Sequence, residues 1–243
     1  MKNFVIFFFL LSLFSAVPGL TVFSQKYIDI LPDSIQVQPV SQEDQEAFLR
    51  SFPFAHFRPY LFDRESAVAD STLPPSSDFQ YGIASALDGS LSTSWAEGEK
   101  GPGTSINIVT FHEVKEFGND YLYVFPGWGG SAGTWRKNNR VESAKIQVIG
   151  LNKYTVTGGA DWTFLRTTET IEVTFADEYA YQGFPIGRYL FEQYDFFAGG
   201  IDLYIVVLEI KSVYPGSSWN DTCISEITVT EGSKQPPPED PMM

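Results

Sequence analysis

From residue 105 onward the chain is a succession of short segments rich in Val, Ile, Phe, Tyr and Thr: SINIVTF, DYLYVF, AKIQVIG, WTFLRT, TIEVTF, RYLFEQYDF, IDLYIVVLEI and CISEITV. Segments such as TIEVTF and DYLYVF alternate apolar and polar residues, the period a strand needs to bury one face. Between the segments stand FPGWGGSAG, GLNKYTVTGGAD and YPGSSWND, whose Gly, Pro, Asn and Asp residues supply turns. About eight strands in this arrangement, with almost no helical periodicity, specify an all-β fold, an antiparallel sandwich or jelly roll.

The remainder of the chain reads differently. Residues 1–24 combine Lys2, an apolar run from Phe4 to Phe14, the breakers Pro18 and Gly19, and small residues near the end. The run is too short to span a bilayer, and the pattern is that of a secretory signal peptide. The expected location is therefore outside the cytoplasm: periplasm, cell surface or medium. No second long apolar run follows, so no transmembrane segment is expected after cleavage. Residues 25–75 read as a Pro-punctuated N-terminal arm with one short helix over Glu43 to Phe52. STLPPSSD marks a boundary before a sandwich over 76–232, and the Pro-rich tail, 233–243, is expected to be disordered.

Charge and rare residues narrow the function. Thirty Asp and Glu against sixteen Lys and Arg give a net charge of −14. Such a field repels nucleic acid, and the strongest basic cluster, Arg136 to Arg140, is too small to reverse it. One cysteine, Cys223, permits neither an intramolecular disulfide nor a Cys-based zinc site, and fits a strand interior. An exported domain without disulfides points to a bacterial source. The two histidines, His56 and His112, stand beside no nucleophile or metal-protease motif, and nothing singles out a pair of catalytic carboxylates. A binding protein rather than an enzyme is the expectation.

Two stretches carry chemistry. In SALDGSLSTSW, Asp88 offers a carboxylate, Gly89 a sharp turn, Ser90 and Thr93 hydroxyls, and Ser85 a carbonyl, the oxygen-rich set a hard cation takes. An Asx turn closing on its own backbone is the competing reading. Trp95 fits the core, and Glu97 is a candidate partner for Arg140. In FPGWGGSAGTWRKNNR, glycines hold Trp128 and Trp135 outside any strand period. With Arg136, Asn138, Asn139 and Arg140 they could form an aromatic plate rimmed by polar groups, as sugar binding requires. Equally, both indoles could pack beneath the loop. Trp219, Tyr179, Tyr181 and Phe184 are further aromatics in loop-like contexts, lining the same rim or covering a sheet edge.

The ordered set SALDGSLSTSWAEG, GTSINIVTF, WRKNNRVESAKIQV and VYPGSSWNDTCISEITV resembles the discoidin-like, galactose-binding-like (F5/8 type C-like) jelly rolls. It looks most like their bacterial NADase-type glycan-binding subgroup, over roughly Phe79 to Glu231. The resemblance implies carbohydrate (glycan) binding and a structural Ca2+ site. Its ligands would be the carbonyls of Ser85 and Ser225, the carboxylates of Asp88 and Glu226, the Ser90 side chain and the Thr93 hydroxyl. Ser90 departs from the usual Asp or Asn. FPGWGG likewise replaces the family's N-G-Y pattern while keeping an aromatic. On the same scaffold a protein-interaction or adhesion module, with a surface protein as partner, is the second expectation, and a glycan-active hydrolase the third.

Overall fold

The computed structural model describes residues 27–38, 67–113, 121–156, 159–167, 170–186 and 203–230. Within them run β1 (Tyr27–Asp29), β2 (Ile35–Gln38), β3 (Ala67–Ala69), β4 (Trp95–Ala96), β5 (Asn107–Glu113), β6 (Tyr121–Pro126), the helix α1 (Ala132–Lys137), β7 (Asn139–Val156), β8 (Gly159–Thr167), β9 (Thr170–Thr174), β10 (Tyr181–Pro185), β11 (Leu203–Tyr214) and β12 (Thr222–Thr230). The all-β expectation holds. The twelve strands join into one sheet, ordered β1-β10-β6-β12-β7-β11-β5-β3, with β2 on β9, β4 on β12, and β8 and β9 on β7. Most pairs are antiparallel. The sheet is nevertheless mixed, because β1 runs parallel to β10 and β12 meets the start of β7 in parallel.

Hydrophobic alternation explains how this sheet packs around a core. In β11, Tyr204, Val206, Leu208 and Ile210 all point into one cluster, joined by Ile108, Ile146, Val148, Ile171, Val173 and Trp95. β6 is buried on both faces: Leu122 and Val124 enter that core, whereas Tyr123 and Phe125 enter a second cluster with Leu91, Trp135 and Tyr181. A strand covered on both sides needs something beyond the sheet to shield its outer face. Here the 88–93 loop, α1 and the approach to β10 do so.

Several expectations change on contact with the structure. Within the arm expected over 25–75, the described strands pair with strands of the main sheet. β1 pairs with β10, β2 with β9 and β3 with β5, so strands before residue 39 and after residue 66 are built into the sheet. Tyr181 and Phe184, read as loop aromatics, lie in β10 and are fully buried. The loop after β6 contains a short helix, capped where the Ser131 hydroxyl accepts from the Thr134 N–H at 3.0 Å. The helix expected over residues 43–52, the strand expected over 188–196, the signal peptide and the tail lie outside the described residues.

Candidate functional site

The SALDGSLSTSW stretch becomes a 3-10 turn (Ile83–Ala86), a polar loop and β4. Gly89 takes φ +76, the left-handed region that favours glycine, which lets the chain reverse directly after Asp88. The Asp88 carboxylate accepts from the Ser90 N–H at 2.9 Å and from the Thr93 hydroxyl at 3.0 and 2.7 Å. Asp88 thus closes its own turn. The loop is also tied to the last strand: Glu226 Oε2 accepts from the Gly89 N–H at 2.9 Å. The Ser225 hydroxyl donates to the Thr93 carbonyl at 2.9 Å and accepts from the Gly129 N–H at 2.8 Å. Ser90 turns to Ser92, hydroxyl to hydroxyl at 2.7 Å, and the Ser85 hydroxyl donates to the Gln80 carbonyl at 3.4 Å.

Glu226 is buried, and its carboxyl is pushed up to about 8. Burial is the main cause; the Gly89 N–H pulls the other way, and the Asp88 charge adds to the rise. The Asp88 and Glu226 carboxyl groups therefore feel each other's charge in a partly desolvated place. Among the described residues no group of three or more His, Cys, Asp or Glu side chains is arranged around a metal position. The donor set is hard oxygen with two carboxylates, which fits an alkaline-earth cation better than a transition metal.

The Trp128 to Arg140 stretch divides into buried and accessible parts. Trp135 is buried, and its indole N–H donates to the Pro126 carbonyl at 2.7 Å. Arg140 lies over the Trp135 ring, 4.7 Å from its centre, and forms a fork with Asp177 through Nε at 2.9 Å and Nη2 at 3.0 Å. The expected Glu97–Arg140 pair is replaced by this one. Asn139 is buried: its amide donates to the Asn220 carbonyl at 2.7 Å, and its oxygen accepts from the Gly216 N–H at 2.7 Å. Arg136 is exposed in the last turn of α1. Gly127, at φ +98, sits under this assembly. A Cβ there would come within 2.5 Å of Arg140 and 2.7 Å of the Trp135 ring.

Glu97 follows β4 and is fully buried. Its Oε2 accepts from the Glu99 N–H at 2.6 Å, and its Oε1 has no hydrogen-bond partner among the described residues. Burial raises its carboxyl above the ordinary range. The backbone N–H groups of Glu99 and Thr222 counter this in part, and the charges of Asp221 and Glu99 add to it.

Trp128 opens onto a groove of about 600 Å³. The groove also takes in Phe79, Tyr81, Asn138, Trp219 and Asp221, with Ala96 and Cys223, paired across β4 and β12, beneath it. Phe79 and Tyr81 meet Trp128 edge to face, with ring centres 5.0 and 5.9 Å away, while the Trp128 indole N–H donates to the Ser92 carbonyl at 3.3 Å. Phe79 is 46% and Trp219 48% exposed, unusual for side chains of this size. Trp219 is fixed by its backbone N–H on the Lys137 carbonyl at 2.9 Å, and the Lys137 ammonium lies 5.3 Å from its ring centre. Burial pushes the Cys223 thiol upward, so it stays protonated and unreactive. Of the residues expected at the ligand surface, Trp128 and Asn138 line this groove, whereas Trp135, Arg136 and Arg140 border a separate pocket beside Asp177. Phe79, Tyr81 and Asp221 carried no signal in the sequence, because only the sheet order brings residues 79–81 and 219–221 to Trp128.

An all-β fold with an open aromatic groove defines a sandwich-type binding domain. Residues 62–230 match the NAD glycohydrolase translocation F5/8 type C domain, and the chain belongs to that family. F5/8 type C domains are typically non-catalytic binding modules. No curated protein matches. Among solved structures, a cryo-EM structure of the arabinofuranosyltransferase AftD from Mycobacteria aligns at 17% identity over 68% of this chain and 11% of that one, with a TM-score of 0.34. The alignment spans about a tenth of that protein and is too loose to carry an argument. No helix among the described residues is long and apolar enough to cross a membrane.

Proposed function

We propose that the chain is an exported bacterial binding module that acts without catalysis and takes a glycan in the groove at Trp128. The observation that carries this reading is the half-exposed pair Phe79 and Trp219 on the same groove as Trp128, Asn138 and Asp221. A sugar ring has an apolar C–H face and a hydroxyl rim, so an aromatic wall beside amide and carboxylate groups complements both parts. The groove volume is within the usual range for small-ligand sites. A glycan array followed by sugar titration of tryptophan emission tests it. Saturable quenching supports the reading, and a flat response over the array moves the assignment to a protein partner.

The same reading includes a structural calcium ion at the first loop. The carboxylates of Asp88 and Glu226, the Thr93 hydroxyl, the Ser90 side chain and the carbonyls of Ser85 and Ser225 would hold it. When bound, the ion neutralises the two carboxylates and joins the 88–93 loop to β12. Support for this lies in the oxygen-only donor set and in the burial of Glu226. Residues 1–24 support export.

A further inference from the structure

The polar side of the groove has a sign. Among the described residues, Asp221 is the one charged side chain lining it; the other polar groups there are the hydroxyls of Tyr81, Ser92 and Thr134, the Asn138 amide and the Cys223 thiol. Among the described residues, no Lys or Arg forms an ion pair with Asp221. The Lys137 ammonium lies over the Trp219 ring instead. The charge of Asp221 is felt by its neighbours, since it helps to raise both the Glu97 carboxyl and the Cys223 thiol. An uncompensated carboxylate set among aromatic faces attracts an organic cation in two ways: through its own charge and through the negative faces of the rings. The same arrangement repels a uronate, a sulfated sugar or a sialic acid.

We infer that the groove selects an amino sugar carrying a free, protonated amine, with Asp221 as the counter-charge to the ammonium and Trp128 and Trp219 as the surfaces for the sugar ring. This rests on the glycan reading above and narrows it to one class, glucosamine-type rather than N-acetylated, neutral or acidic sugars. N-Acetylation removes the positive charge while leaving the ring and its hydroxyls in place, so it isolates the contribution of Asp221. The net charge of −14 adds a long-range attraction for a polycationic oligosaccharide. Lys137 already places an ammonium on Trp219, which shows that this indole accepts a cation on its face.

The test is calorimetric titration of the full chain at about pH 5.5, where the sugar amine is protonated. The probes are a β-1,4-linked glucosamine oligosaccharide, its fully N-acetylated counterpart and an oligouronate. The inference predicts roughly tenfold tighter binding of the free amine than of the acetylated form, and none of the uronate. It also predicts that Asp221→Asn removes the preference, that Asp221→Glu keeps it, and that Trp128→Ala weakens both sugars. Raising salt should erode the preference in the unmodified protein, a readout that needs no variant to fold. Equal affinity for the amine and its acetylated form overturns the inference and leaves the glycan reading intact. So does a preference that survives Asp221→Asn. Absence of binding to every sugar overturns both.

Discussion

Glu226 reaches across 137 positions of sequence to accept the Gly89 N–H at 2.9 Å, so the last strand holds the first loop of the sandwich by a single carboxylate. The neighbouring Ser225 does the same through its hydroxyl, bridging the Thr93 carbonyl and the Gly129 N–H. The 88–93 loop and the loop that carries Trp128 therefore meet at two adjacent residues of β12.

If a cation completes this junction, chelation should loosen it. A ligand at a hundredfold excess over its dissociation constant stabilises the native state by about 2.7 kcal/mol. EDTA should therefore lower the melting temperature by several degrees, and added calcium should restore it. Asp88→Ala should melt at the lower temperature with or without EDTA. A wild-type melting curve unmoved by EDTA would remove calcium from the account.

The Arg140–Asp177 fork makes a separate claim. Arg140 is buried while Asp177 keeps 44% of its side chain exposed, so the pair is partly screened. Arg140→Gln should still destabilise by about 2 kcal/mol, because it also leaves the carbonyls of Asn138 and Pro215 without their donor. A double-mutant cycle should give coupling between Arg140 and Asp177 and additivity between Arg140 and Glu97. Coupling only to Glu97 would contradict the geometry.

Glu97 predicts a pH dependence. Its folded carboxyl lies above the ordinary value of 4.5, so the folded state holds a proton that the unfolded state releases first. The contribution is fully present below that ordinary value and is lost as pH rises through the folded one. Glu97→Gln keeps the shape and removes the charge, so it should flatten this part of the stability profile in urea melts. An unchanged slope would mean that Glu97 is not its source.

The two loop tryptophans should separate in kind. Trp135→Ala removes a buried indole, its bond to Pro126 and the surface beneath Arg140, and should cost about 3–5 kcal/mol of stability. Trp128→Ala opens a groove wall and should cost ligand affinity with a smaller loss of stability. Thermal melts and titrations on both variants would expose a reversal of these roles.

The strands were legible because their alternation is written residue by residue: DYLYVF became β6 and TIEVTF gave β9 almost unchanged. The meeting of Asp88 with Glu226 came only from family resemblance, since no local pattern encodes a contact between distant segments. The Arg140 partner was misread for the same reason. Asp177 stands 37 positions from Arg140 in the sequence, and no local pattern marks it as the partner. The groove was half legible. Trp128 stood out among its glycines, whereas Phe79 and Asp221 look like ordinary loop residues until β4 and β12 pair beneath them. The helix over Ala132–Lys137 was hidden by the same glycines that advertised a loop.

The central claim is that the groove at Trp128 binds sugar, and tryptophan emission read during glycan titration tests it most directly. The account predicts saturable quenching in the wild type, loss of the response in Trp128→Ala and in Trp219→Ala, and no response to nucleic acid. Saturable sugar binding that persists undiminished in both variants would place the site elsewhere and contradict it.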